Sequence, residues 1–130
     1  MEPSGEDLEK IILDYAARIG SFAKVEGVAS SQLEQIIASL ENSKDRRYAL
    51  LYCAAFAKRQ ASRLGRGNRM AYEIVEAMKE LYEKNLGKEE ARKLLGLTKW
   101  VRESLEDVRV PFQGVKDYQE YLNLIIGSKR

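Results

Sequence analysis

Apolar residues recur along this chain at intervals of three and four, and almost nowhere at intervals of two. Leu8, Ile11, Ile12, Tyr15, Ile19 and Phe22 trace one face of a first helix. Ser4, three residues ahead of Asp7, reads as its capping signal. Gly27 closes the connection. Ser31 and Glu34 then form a Ser-x-x-Glu box that opens a short second helix with Leu33, Ile36, Ile37 and Leu40 inward. Asn42 and Ser43 end it. A third segment spans about Asp45 to Leu64, and Gly65 and Gly67 give its end the freedom to turn. Asn68 reads as the cap of a fourth helix, with Ala71, Ile74, Met78 and Leu81 inward. A fifth pattern runs through Ala91, Leu94, Leu95, Thr98, Val101, Leu105 and Val108. After Pro111 and Gly114, Tyr118, Tyr121, Leu122, Ile125 and Ile126 suggest a short closing helix. No alternating stretch exceeds three residues.

The expected fold is therefore all-α: a single domain over 1–130, a bundle of five or six helices. Its core lies at about 7–108, and a C-terminal loop and short helix cover 109–130. Within the third helix, Ala49 to Ala57 is apolar on every side. A helix apolar all round is enclosed by neighbours, which predicts this alanine-rich helix at the centre with Cys53 inside it.

Composition narrows the chemistry. At 130 residues the chain suits one domain with a sizeable core. It has no histidine, which removes the usual neutral-pH base and the commonest metal ligand. Imidazole triads and zinc sites with imidazole ligands are excluded. One cysteine excludes an intrachain disulfide and a four-cysteine cluster. The expectation is a non-enzymatic protein with neither cofactor nor metal. The longest apolar run, Tyr48 to Ala57, falls well short of the ~18 residues of a membrane span. The acidic N-terminus is unlike a secretory signal. Both point to a cytoplasmic protein that makes no membrane contact.

Net charge is only +2, but it is unevenly spread. Residues 44–69 hold eight basic side chains, Lys44, Arg46, Arg47, Lys58, Arg59, Arg63, Arg66 and Arg69, against Asp45 alone. The segment before them is strongly acidic. At about 100° per residue, Tyr52, Arg59, Arg63 and Arg66 fall on one stripe of the third helix. Tyr48 lies beside them. Leu50, Cys53, Ala57, Ala61 and Leu64 lie opposite and form the core seam. Arginine forks grip phosphate and tyrosine rings stack on bases, so this face suits a sugar-phosphate backbone. Lys58 and Arg69 extend it. Arg66 and Arg69 flank Gly67-Asn68, a turn where phosphate can approach backbone ahead of a helix N-terminus. Lys44, Arg46 and Arg47 are the candidates for contact between copies of the chain. The competing reading pairs these arginines with the acidic first segment or with Glu73, Glu76, Glu80 and Glu83.

Residues 88–102 carry Leu-Gly-Leu-Thr where a helix-turn-helix would turn, but that register puts Arg92 and Arg102 at its packing positions. One continuous helix fits better. A regulator of that kind would depend on Lys99 and Arg102. Trp100 either covers the core edge or, if exposed, marks a partner surface.

Three stretches carry a family resemblance. They are Ala16-Ala17-Arg18-Ile19-Gly20-Ser21-Phe22, Glu26-Gly27-Val28-Ala29-Ser30-Ser31-Gln32-Leu33, and Ala54-Ala55-Phe56-Ala57-Lys58-Arg59-Gln60. Together they resemble the small helical subunit of type III-A CRISPR effector complexes, over residues 13–85. That family usually has arginine directly after Ser-Gln-Leu, where this chain has Glu34. The resemblance implies a non-catalytic bundle present in several copies beside other subunits of the effector complex. It also implies a basic face that helps to hold the guide and target strands, RNA or another single-stranded nucleic acid, onto which Arg59 maps best and Arg63 next. The alternatives are a helical adaptor that meets only proteins, and a helix-turn-helix regulator using residues 88–108.

Overall fold

The computed structural model describes residues 5–127, so the Ser4 cap and the ends of the chain lie outside it. Six α-helices follow one another: α1 (Gly5–Val25), α2 (Ser30–Ala38), α3 (Tyr48–Leu64), α4 (Asn68–Glu83), α5 (Lys88–Ser104) and α6 (Tyr118–Gly127). A 3-10 turn over Ser39–Asn42 follows α2. No strand occurs among the described residues.

Helix α1 packs against α4, α5 and α6. Small side chains make this possible. Ala16, Ala17, Gly20, Ser21 and Ala23 are buried along it. A Cβ at Gly20 would stand 2.8 Å from the Thr98 carbonyl oxygen and 2.7 Å from Val101 Cγ1. The backbones of α1 and α5 therefore meet at a distance only glycine permits.

The alanine-rich helix is not enclosed on every side, contrary to what its apolar run predicts. In α3, Ala49, Leu50, Cys53, Ala57, Gln60 and Ala61 are buried, but Leu51, Tyr52 and Ala55 are exposed. The reason lies further along the same helix. Lys58, Arg59 and Arg63 keep its outer face in water, and Leu51 and Tyr52 share that face. Of the expected core seam, Leu64 alone is exposed. Cys53 is fully buried, and burial pushes its thiol up to about 11, so it stays protonated at neutral pH.

Helix starts also differ from the sequence reading. At α2 the Gln32 side-chain Oε1 accepts the Ala29 N–H at 2.8 Å, while Glu34 reaches across to Lys99. At α3 the Asp45 carboxylate accepts the N–H groups of Arg47 and Tyr48, so regular helix begins at Tyr48. At α4 the cap residue is Gly67, at φ 88°, and Asn68 already lies within the helix. Its first turn is satisfied from a distance. The Glu26 carboxylate accepts the N–H of Arg69 at 3.1 Å and of Met70 at 2.8 Å. A charged cap at a helix N-terminus contributes about 1–2 kcal/mol. Glu26→Ala is expected to lose about that much, read as a lower urea midpoint with an unchanged slope.

The fifth pattern is one unbroken helix through Gly96, as the register argument requires. It stops at Ser104, short of Val108. Arg102 is buried, its Nε donating to the Val28 carbonyl at 2.9 Å and its guanidinium paired with Glu106. The packing position that a helix-turn-helix would give to an apolar residue thus anchors the α1–α2 connection. The C-terminal segment returns to α1. There the Val115 N–H donates to Ser21 Oγ at 2.9 Å and the Tyr118 N–H to Asp14 at 3.0 Å.

Candidate nucleic-acid interface

The α3 face assembles as its spacing predicts. Tyr52, Lys58, Arg59 and Arg63 are all exposed on it, with Tyr48 beside them. Arg66 is exposed too, but the helix ends at Leu64 and Gly65 turns the chain, so Arg66 stands off the stripe. None of Lys58, Arg59, Arg63, Arg66 and Arg69 forms an ion pair among the described residues. The ion pairs there involve Lys10, Arg18, Lys24, Arg46, Lys84, Lys88, Arg92, Lys99 and Arg102.

Two of the four α4 acids named as internal partners are engaged elsewhere. Glu73 pairs with Arg18 at 3.0 Å. Glu80 pairs with Lys84 and accepts the Tyr15 hydroxyl at 2.9 Å. The α3 arginines are therefore not held by the carboxylates that would have explained them structurally.

Three features of the structure bear on the other expected contacts. First, the turn before α4 does not offer its backbone to phosphate. The Glu26 carboxylate already occupies that N-terminus, and Gly67 is pressed against Val28, whose Cγ2 lies 2.9 Å from where a Cβ would sit. Arg69 instead lays its guanidinium over the Phe22 ring, 4.7 Å from the centroid.

Second, two of the three candidates for contact between copies are committed within the chain. Arg46 pairs with Glu89 at 2.8 Å and Glu90 at 3.3 Å. Arg47 stacks on the Tyr82 ring at 4.2 Å and donates to the Tyr82 carbonyl at 2.8 Å. Lys44 remains exposed. Third, four of the five cations of α5 are paired within the chain, Lys93 being the exception among the described residues. Lys88 and Arg92 both meet Glu41, and Lys99 meets Glu34. These pairs fasten α5 to α2 and its following turn.

Beside Arg63 lies an open cleft of about 380 Å³, lined by Ser31, Gln32, Gln35, Gln60 and Leu64 as well. Gln60 is buried and donates to Gln35 Oε1 at 2.9 Å. Periodicity gives Gln60 no special weight, because a polar residue on a core face is legible only once its partner helix is placed. The cleft makes the surroundings of Arg63 polar rather than apolar.

Among the described residues no cluster of His, Cys, Asp or Glu could hold a metal ion. No helix is long and apolar enough to cross a membrane. No known protein family, curated protein or solved structure matches the chain.

Proposed function

We propose that this chain is a non-catalytic, strand-holding subunit of an RNA-guided CRISPR effector assembly. It binds nucleic-acid backbone on the outer face of α3 and is present in several copies. Arg59 and Arg63 contact phosphates, Lys58 adds charge, and Tyr52 offers a ring for stacking. The observation that supports this reading best is the contrast in pairing. Arg18, Arg46, Arg92 and Arg102 each meet a carboxylate, whereas Arg59 and Arg63 of the α3 face meet none among the described residues. Unpaired guanidinium groups beside an exposed tyrosine suit a polyanion with stackable bases. The sequence resemblance supplies the assembly.

Phosphate contacts release counterions, so affinity for single strands should fall with salt at a logarithmic slope of about −0.7 per contact. Two or three arginines give a slope near −2. Sequence preference should be slight, because backbone contacts carry no sequence information. Filter binding of random single strands and a duplex pool, from low to physiological salt, measures this. An adaptor that meets only proteins retains nothing even at low salt. A duplex-reading regulator prefers one duplex and loses it on changing Lys99 or Arg102.

A further inference from the structure

Two cations outside α3 also go without a carboxylate, and they share one concave site. Arg69, in the first turn of α4, and Lys116, in the loop before α6, are exposed and form no ion pair among the described residues. With Phe22 and Val115 they line two adjoining clefts of about 330 and 210 Å³ between α1, α4 and that loop. Glu73 is the one acid on these walls, and Arg18 holds it at 3.0 Å. Glu26 and Glu120 stand behind the two cations, accepting the backbone N–H groups of Arg69 and Lys116 at 3.1 Å each. With Arg18 and Glu73 cancelling, Arg69 and Lys116 leave the walls two uncompensated positive charges.

The walls are built before any ligand arrives. The Arg69 guanidinium rests over the Phe22 ring, 4.7 Å from its centroid, which spares its planar fork part of the ordering cost of binding. The loop that carries Lys116 is pinned to α1 at successive residues. The Val115 N–H donates to Ser21 Oγ at 2.9 Å, and the Lys116 carbonyl accepts Arg18 Nε at 3.1 Å. A Cβ at Gly114 would stand 2.6 Å from Phe22 Cε1, so the same loop is pressed onto the ring that supports Arg69.

We propose that this cleft is a binding site for a phosphate monoester, with Arg69 as the fork and Lys116 as the point charge. Two uncompensated charges arriving from two elements match a dianion, and a concave site focuses their field. An internal phosphodiester of a strand carries one charge and matches less well. A guanidinium beside an ammonium divides a phosphate's oxygens between a planar pair of donors and a compact cation. The monoester is either a free small molecule or the terminal phosphate of a strand, which share this chemistry. Helix α4 packs against both α1 and α3, and the cleft lies on its α1 side. The inference therefore goes beyond the strand-binding reading of the α3 face and does not rest on it.

The test titrates the whole chain with methyl phosphate at constant ionic strength and follows the backbone amide resonances. At pH 7.5 the amides of Val115 and Lys116 shift with a dissociation constant of about 1 mM or below, the range that two charge-assisted contacts in an open cleft support. Arg69→Gln and Lys116→Gln each weaken binding about tenfold and keep the helical circular dichroism. Lys116→Gln, in an exposed loop, carries the test alone if Arg69→Gln does not fold. At pH 5.5 binding is about fourfold weaker, because a monoester loses its second charge around pH 6. The chain has no histidine, the side chain that ordinarily titrates in that interval. Dimethyl phosphate, with one charge at either pH, binds about tenfold more weakly than the monoester does at pH 7.5. Equal affinity at the two pH values, equal affinity for the diester, or shifts confined to Arg59 and Arg63 overturn the proposal. So does the absence of any shift up to about 50 mM. The source is then read from one strand carrying a 5′-phosphate or a 5′-hydroxyl, added to the Arg59→Glu, Arg63→Glu variant. A terminal phosphate is the ligand where only the phosphorylated strand moves Val115 and Lys116, and a free ester where neither does.

Discussion

Reversing Arg59 and Arg63 together to glutamate is expected to abolish retention of single strands while leaving the fold intact. The two side chains lie one turn apart on the outer face of α3, exposed and without carboxylate partners. Substituting exposed residues away from caps and cores changes stability by about 0.5 kcal/mol or less. Binding loses more than two contacts, because each phosphate that met a guanidinium now meets a carboxylate. At about 4 Å and a surface dielectric near 20, each such reversal turns attraction into repulsion of several kcal/mol before screening. Screening leaves a loss of at least a hundredfold at low salt, and the slope against salt should flatten. Binding isotherms of wild type and variant at two salt concentrations, beside thermal melts of both, measure this. A variant that unfolds would show the arginines to be structural. A folded variant that binds undiminished would move the strand away from α3.

The second large effect is on stability, and it pairs two glycines with opposite expected signs. At Gly20 a Cβ meets the Thr98 carbonyl oxygen at 2.8 Å, and a backbone atom cannot step aside as a side-chain tip can. Overpacking of this kind costs about 1–3 kcal/mol, and more where backbone is involved. Alanine recovers about 1 kcal/mol of helix propensity. Gly20→Ala should therefore lose about 2 kcal/mol net, and Gly20→Val considerably more. At Gly96 the same substitution meets nothing within 4 Å, so only propensity acts and about 0.5–1 kcal/mol is gained. For a domain of this size, 1 kcal/mol moves the melting temperature by about 4 °C. Gly20→Ala should melt roughly 8 °C lower, and Gly96→Ala a few degrees higher. Equal shifts at both positions would mean that α1 and α5 do not approach as closely as described.

These glycines also mark what could be read before the fold was known. The periodicity of α3 separates Leu50, Cys53, Ala57 and Ala61 from Tyr52, Arg59 and Arg63, and the structure buries the first set and exposes the second. Period alone suffices because both sets belong to one rigid element. How far a helix is enclosed is not legible in the same way. Alanine looks alike whether it admits a neighbour on one side or on all, so the run in α3 fits burial on one face as well as all round. Pairing was equally hidden. Glu26 caps α4, Glu34 meets Lys99 and Glu41 meets Arg92, across separations of more than forty residues. Nothing local in a sequence distinguishes an arginine that will find such a carboxylate from one that will not. The basic block was therefore visible as a block, but its division into committed Arg46 and Arg47 and uncommitted Arg59 and Arg63 needed the packing of α2, α4 and α5.

That division gives the molecule an electrical direction. Where a cation and an acid lie a few ångströms apart, their fields cancel within a short distance. Unpaired guanidinium groups cancel nothing, so the α3 face keeps a positive field at longer range in a chain whose net charge is only +2. If a polyanion is the partner, such a field would turn α3 toward it before contact, so leaving a few arginines without partners would raise the arrival rate as well as the grip.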